Sequence, residues 1–315
     1  MIKAAIIMDP IAHIRIADNT SFALLLEAQS REYDNYYIEP QDIWLQDGIV
    51  WAKMHRIQVS DNANQWYEMG EAILQPVAEL DCVLLRKDPP FDMEYIYLTY
   101  MLELATQQGV KVINSPRSVR DANEKLFASW FPQCCPPTII SKNKDLLLEF
   151  LQLHQHTIIK PLDGMGGRGI FQLKLGDKNC NALIDNVTNN GNTTIMSQQF
   201  LPAIENGDKR IIMIDGNAAP FGLARIPNDH DFRGNLKAGA KGVVFELSER
   251  DHWIATQVGA TLREKGLSLV GLDVIGDYLT EINVTSPTCV REIEKETQIN
   301  ILSPLFDLIE SLCPL

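Results

Sequence analysis

The sequence predicts an α/β protein, and three observations carry that expectation. Residues 1–120 alternate strand-like and helix-like stretches, residues 157–175 read strand, glycine loop, strand, and residues 269–284 read as two apolar strands interrupted by acids. Strands separated by helices imply a parallel sheet, with ligands gathering at the carboxyl ends of its strands.

Residues 4–8 are a first buried strand that runs into Asp9 and Pro10. Residues 21–30 open on Ser21 with apolar residues at helical spacing and predict a helix. Residues 35–39 and 81–85 are strand-like, the second ending at Arg86, Lys87 and Asp88. Residues 93–108 predict a helix closed by Gly109, and residues 110–114 another strand. Three units are expected: residues 1–120, 121–203 and 204–315. The second opens on a helix over 118–131 that carries Asp121, Glu124 and Lys125. It continues with helices over 144–154 and 181–192 and a strand over 194–201. The third has strands over 209–215 and 220–226, then a polar stretch over 227–243 with Arg233, Lys237 and Lys241. A loop of that length in a compact domain is usually functional or disordered. A helix over 251–265 ends at Gly266, before the paired strands of 269–275 and 278–284.

The 315 residues carry a net charge of −13. That argues against nonspecific nucleic-acid binding, which needs a basic surface. An anionic ligand would have to be held by local Lys, Arg and metal. No apolar run approaches the roughly 20 residues needed to span a bilayer, and the apolar start is too short for a signal peptide. A cytosolic protein without a membrane partner is expected. The six cysteines form no C-x-x-C pair and suggest neither a zinc site nor a disulfide framework.

In the middle of the chain an apolar strand ends in Lys160, and glycines follow at 164, 166, 167 and 169. Such a loop lets backbone N–H groups close around phosphate oxygens. The segment behind it, residues 170–175, alternates like a strand. A hairpin has no helix N-terminus to receive a pyrophosphate, so a dinucleotide fingerprint is excluded. No Gly-Lys-Ser/Thr follows, so neither is it a P-loop. A flap folding over a triphosphate remains.

Asp273 interrupts an apolar strand, and Glu281 and Asn283 share one face of the next. Oxygen donors converging in an apolar sheet are costly without a cation, and Mg²⁺ takes such donors while keeping phosphates in its other positions. A two-residue turn at Gly276-Asp277 would put Asp273 and Glu281 on opposite faces. The metal hypothesis therefore predicts an odd-length turn.

A lysine before a glycine hairpin, a second lysine upstream and an acid…acid-x-Asn hairpin occur in this order in ATP-grasp ligases. The chain resembles the prokaryotic glutathione synthetases in Arg86-Lys87-Asp88-Pro89-Pro90-Phe91-Asp92, Asn123-Glu124-Lys125-Leu126 and the run from Lys160 to Gly167. The resemblance extends to Gly207-Asp208-Lys209-Arg210 and to Leu279-Thr280-Glu281-Ile282-Asn283-Val284-Thr285-Ser286-Pro287-Thr288. It implies an ATP-grasp fold of three α/β units, the first a parallel-sheet domain preceding the nucleotide-binding pair. It also implies ATP-dependent ligation of γ-glutamylcysteine to glycine through an acyl phosphate, in a cytoplasmic homotetramer.

Within that frame Lys125 and Lys160 fit the phosphates, and Gly164, Met165, Gly166 and Gly167 the closing flap, which Arg168 makes more basic. The backbone of Gln198, Gln199, Phe200 and Leu201 would hold adenine, and Asp208 the ribose hydroxyls. Asp273, Glu281 and Asn283 would hold Mg²⁺ or Mn²⁺. Arg210 would neutralise the reacting carboxylate, since a guanidinium binds oxyanions in a fixed fork. Arg225 and Arg233 are further candidates for substrate carboxylates. Arg86 would hold a dipeptide carboxylate, and Ser286 and Thr288 would receive glycine. The segments 164–169 and 227–243 are the expected lids, mobile without ligands. Another ATP-grasp ligase, such as one joining two D-alanines, would share the nucleotide parts and differ in substrate contacts.

Overall fold

A short apolar strand at the start of the chain, β1 (Lys3–Ile7), lies inside a mixed sheet. The computed structural model describes residues 1–228, 234, 236 and 239–314. Helix α1 (Thr20–Ser30) follows, capped not by serine but by the Asn19 side chain, which accepts from the Phe22 amide. Strand β2 (Asp34–Ile38) then pairs in parallel with β1.

Three strands that the sequence reading leaves unassigned come next: β3 (Ile43–Gln46), β4 (Ile49–Val59) and β5 (Tyr67–Pro76). All their pairings are antiparallel. The expected parallel sheet is therefore only part of the first sheet. Side chains of β4 alternate between core and surface, the pattern of a strand with one wet face. After β6 (Cys82–Leu85), α2 (Met93–Gln107) and β7 (Lys111–Ile113), the order is β3-β4-β2-β1-β6-β7, with β5 on β4. The strands β2, β1, β6 and β7 are parallel.

The helix expected over 118–131 is much shorter. α3 (Pro116–Asp121) stops early, and Phe127–Trp130 form a separate 3-10 turn. Between them the Asn123 side-chain oxygen accepts from the amides of Lys125 (3.2 Å) and Leu126 (2.9 Å). That local turn competes with the helix and leaves Glu124 and Lys125 in an irregular segment.

The second sheet comprises β8 (Thr138–Ser141), β9 (His156–Pro161), β10 (Phe171–Lys174) and β11 (Ile195–Gln199), in the antiparallel order β10-β9-β11-β8. Helices α4 (Lys144–His154) and α5 (Cys180–Val187) cover it. Leu147, Leu151, Ile159, Leu173, Ile184 and Ile195 give this lobe its own core. β9 and β10 are the hairpin that the glycine pattern predicts, with Phe171 opposite Ile159. The loop between them holds Gly166, Gly167 and Gly169 at positive φ, where a Cβ would be strained.

The third sheet runs β14-β13-β12-β15-β16, built from β12 (Asp208–Ile214), β13 (Asn217–Ile226), β14 (Lys241–Glu246), β15 (Leu269–Ile275) and β16 (Tyr278–Asn283). Helix α6 (Glu249–Glu264) lies between β14 and β15 in the chain, and α7 (Val290–Thr297) and α8 (Ser303–Leu312) follow β16. Unlike the second, this sheet shares its core with the first: Ile7, Val83 and Leu85 belong to the same cluster as Ile211, Leu272 and Val274. Asn114, at the end of β7, stitches the two sheets together. Its Nδ2 donates to the carbonyls of Leu269 and Val284, both at 2.8 Å, and its Oδ1 accepts from the Leu269 amide at 2.8 Å. Arg233, Lys237 and the rest of 229–233, 235 and 237–238 in the polar stretch 227–243 lie outside the described residues.

Candidate active site

The three sheets meet around one cavity of about 850 Å³. Every expected site residue lines it except Arg233, which falls outside the described residues. The second sheet contributes Lys160, the flap and residues 198–201. The third contributes Asp208, Arg210, Arg225, Asp273, Glu281 and Asn283, and the first contributes Arg86.

Lys160 is buried near the end of β9, where its Nζ donates to the Thr280 carbonyl at 3.3 Å. Burial pulls this ammonium down to about 8, against the attraction of Glu281. Lys125 donates to the Gly164 carbonyl at 2.5 Å and to Glu281 Oε1 at 3.1 Å. Burial lowers it too, but Glu281 together with Glu124 and Asp273 outweighs burial and the net direction is upward. Two ammonium groups thus face one carboxylate at the root of the glycine flap.

The expected odd-length turn is not what the structure has. Ile275 pairs with Tyr278, so the turn is the two residues Gly276 and Asp277. A bulge then shifts the register: Val274 pairs with Leu279, but Asp273 pairs with Glu281. Thr280 is the extra residue. A bulge places two residues opposite one and restores the shared face that the turn alone would forbid. Its hydroxyl donates to the Asp273 carbonyl at 3.1 Å, and its own carbonyl receives Lys160.

Asp273 is held by both arginines. Arg210 Nε donates to Oδ1 at 2.7 Å and its NH2 to Oδ2 at 3.2 Å, while Arg225 NH2 reaches Oδ1 at 3.0 Å. Burial works to raise this carboxyl, but the two guanidinium groups outweigh it and hold it well below the usual carboxylate range. Arg225 also donates to Asp208 Oδ2 at 2.6 Å. Asp208, the candidate for the ribose hydroxyls, is therefore also half of an ion pair, and burial pushes its carboxyl upward. Its Oδ1 is buried without a hydrogen-bond partner among the described residues.

Other expected contacts are narrowed. The amides of Gln199 and Phe200 donate to the carbonyls of Pro137 and His156, both at 3.0 Å, which takes these two amides out of the adenine contacts. Arg86 is buried and donates to Ser21 Oγ (3.2 Å) and the Pro287 carbonyl (2.8 Å), so it braces the segment between Ser286 and Thr288.

Among the described residues no three His, Cys, Asp or Glu side chains gather closely enough to hold a metal. The candidate set is two acids and an amide, Asp273, Glu281 and Asn283. Asn283 lies opposite Gly271, whose carbonyl accepts from its Nδ2 at 3.3 Å. The donor set fits Mg²⁺, which binds through one or two carboxylates and completes its shell with phosphate oxygens and water.

Two residues escape the sequence reading. Glu124 lines the cavity beside Lys125. Gly271 sits where a Cβ would meet Arg210 Cδ at 2.8 Å and Nε at 3.0 Å. A glycine inside an apolar strand is the signal that marks such a close approach.

Comparison with known families places the whole chain. The family model of the prokaryotic glutathione synthetase N-terminal domain matches residues 2–120, and that of its ATP-grasp domain matches residues 124–298. The chain belongs to the prokaryotic glutathione synthetase family. It is 50% identical to the glutathione synthetase of Coxiella burnetii over 98% of this chain and 97% of that one. It is 52% identical to that of Pseudomonas putida over 98% of each. The chain is an ATP-dependent carboxylate–amine ligase that joins γ-glutamylcysteine to glycine. Solved structures share the fold at low identity. The ATP-grasp ligase PsnB, in complex with a precursor peptide and AMPPNP, has a TM-score of 0.63 at 17% identity and covers 99% of both chains. The D-cycloserine synthetase DcsG has a TM-score of 0.65 at 13% identity and covers 98% of this chain and 99% of its own.

Proposed function

We propose that the cavity runs the ligation through an acyl phosphate, with the following division of labour. Lys125 and Lys160 hold the triphosphate while the flap of Gly164, Met165, Gly166 and Gly167 folds over it. Residues 198–201 take adenine and Asp208 the ribose. Asp273, Glu281 and Asn283 hold Mg²⁺, with Mn²⁺ as a substitute; PsnB has been solved with Mg and ADP. The ion supplies positive charge against the phosphoryl oxygens as the group moves.

Arg210 faces the same space and neutralises the dipeptide carboxylate, with Arg225 and Arg233 assisting. The carboxylate oxygen attacks the γ-phosphorus and ADP leaves. The glycine nitrogen, held near Ser286 and Thr288, attacks the acyl carbon and phosphate leaves. Arg86 takes a dipeptide carboxylate at the cavity wall and also braces that glycine segment through the Pro287 carbonyl. Acyl phosphates hydrolyse readily, so closure of the flap over the cavity protects the intermediate. The division into units at 1–120, 121–203 and 204–315, a cytoplasmic location and a homotetramer belong to the same proposal.

The observation that carries it is the meeting of two lysines from the flap side with Asp273 and Glu281 from the third sheet in a single cavity. ADP release with γ-glutamylcysteine plus glycine, measured beside D-alanine alone, tests it. Turnover is expected only with the first pair, and D-alanine-dependent release would overturn the reading.

A further inference from the structure

The short turn around Glu124 touches three parts of the site at once. Asn123 Nδ2 donates to the Leu162 carbonyl at 3.1 Å, and Lys125 Nζ to the Gly164 carbonyl at 2.5 Å, so both grip the root of the flap. The Glu124 carbonyl accepts from the Ile282 amide at 2.9 Å on β16, the last strand of its sheet. Its carboxylate Oε1 accepts from the amides of Val284 (2.9 Å) and Thr285 (3.1 Å) and from the Thr285 hydroxyl (2.8 Å). Three donors on one charged oxygen are stronger than neutral bonds and leave the next segment little freedom. That segment leads within one residue to Ser286 and, two further, to Thr288, both on the cavity wall. Arg86 holds its other end through the Pro287 carbonyl.

We infer that Glu124 is a positioning residue for the acceptor amine: it fixes the 284–288 segment that receives glycine and ties that segment to the flap over the nucleotide. The inference rests on the proposed assignment of Ser286 and Thr288 to glycine. It assigns Glu124 no contact with a reacting atom. Its effect falls chiefly on the second half-reaction, because its side-chain hydrogen bonds all go to the acceptor segment, while it acts on Lys125 through charge alone.

The test compares Glu124→Ala, Glu124→Gln and Thr285→Val with wild type, reading KM for glycine and for ATP separately. In Glu124→Ala the three donors lose their acceptor, and KM for glycine is expected to rise about tenfold or more while KM for ATP moves less than about threefold. Glu124→Gln keeps an oxygen acceptor in place and is expected to recover most of the loss. Thr285→Val removes one donor of three and is expected to shift KM for glycine in the same direction by less. An unchanged KM for glycine in Glu124→Ala overturns the inference, as does an equal rise in both KM values, which marks a scaffold role. A Glu124→Gln variant as impaired as alanine also overturns it. If Glu124→Ala fails to fold, Thr285→Val decides by the same criterion. Failure of wild type to turn over γ-glutamylcysteine with glycine would instead count against the parent reading.

Discussion

Asp273 and Glu281 stand opposite each other across the β15–β16 ladder although their strands are joined by a turn of only two residues. The bulge at Thr280 reconciles the two facts. The same residue lends its carbonyl to Lys160, so one irregularity aligns two acids and seats a buried lysine proposed to meet the phosphates. Several consequences can be measured.

Asp273→Asn removes the carboxylate that Arg210 and Arg225 share. Arg225 keeps Asp208, but Arg210 is left as a buried cation without its partner. Breaking one side of a buried pair costs about 3–5 kcal/mol. A loss near the lower end of that range is expected in urea unfolding, together with a fall in turnover of at least about a hundredfold from loss of the proposed Mg²⁺ ligand. An unchanged unfolding midpoint would rule out the structural part.

Gly271→Ala tests the space kept for Arg210. The added methyl would meet that side chain from Cδ out to the guanidinium, which its bonds to Asp273 hold in place. Overpacking typically costs about 1–3 kcal/mol. Displacing the guanidinium from Asp273 is expected to lower kcat by roughly tenfold or more, since small misplacements at a reacting centre are costly. Steady-state kinetics with a thermal melt checks both.

Gly259→Ala separates packing from helix propensity. In an exposed helix interior, glycine to alanine gains about 1 kcal/mol. Here a Cβ on Gly259 would run into the carbonyl oxygen of Gly216, at the turn joining β12 to β13. Backbone must move, so the variant is expected to be less stable by about 1–3 kcal/mol. A stabilised variant would show that the α6 contact yields easily.

The Lys160 ammonium, pulled down to about 8, sets a pH dependence. Between that value and the ordinary lysine range the unfolded chain binds more protons than the folded one. This group therefore makes stability rise with pH through that window. Nucleotide affinity is expected to move the other way: above about pH 8 the free protein loses the ammonium proposed to meet the phosphates. Kd for ATP is expected to weaken across pH 8–9.5 in wild type and to stay flat in Lys160→Arg, whose guanidinium remains charged. Parallel curves would exclude Lys160 as the titrating group.

Strand and helix positions were largely legible, because periodicity is local. The helix over 144–154 matches α4, and the strand over 269–275 matches β15. The alternation along β4 carries the same kind of signal, yet a reading of the first 120 residues as strands parted by helices passes over it. The candidate site was legible as residue types in order: lysine, glycine flap, acid, acid-x-Asn.

The sequence by itself determined the strands around the site, among them 157–161 and 269–275, that the glycine loop closes a hairpin rather than opening a helix, and which side chains carry charge into an apolar setting. Only the tertiary structure decided the partners: Arg210 and Arg225 on Asp273, Asp208 on Arg225, Glu124 on Val284 and Thr285. Those contacts join residues 17 to 161 positions apart. A single bulge or an Asx turn resets which of them face each other. Local propensity fixes a strand's existence, but ladder register and burial choose its neighbours, and both depend on the whole chain having packed.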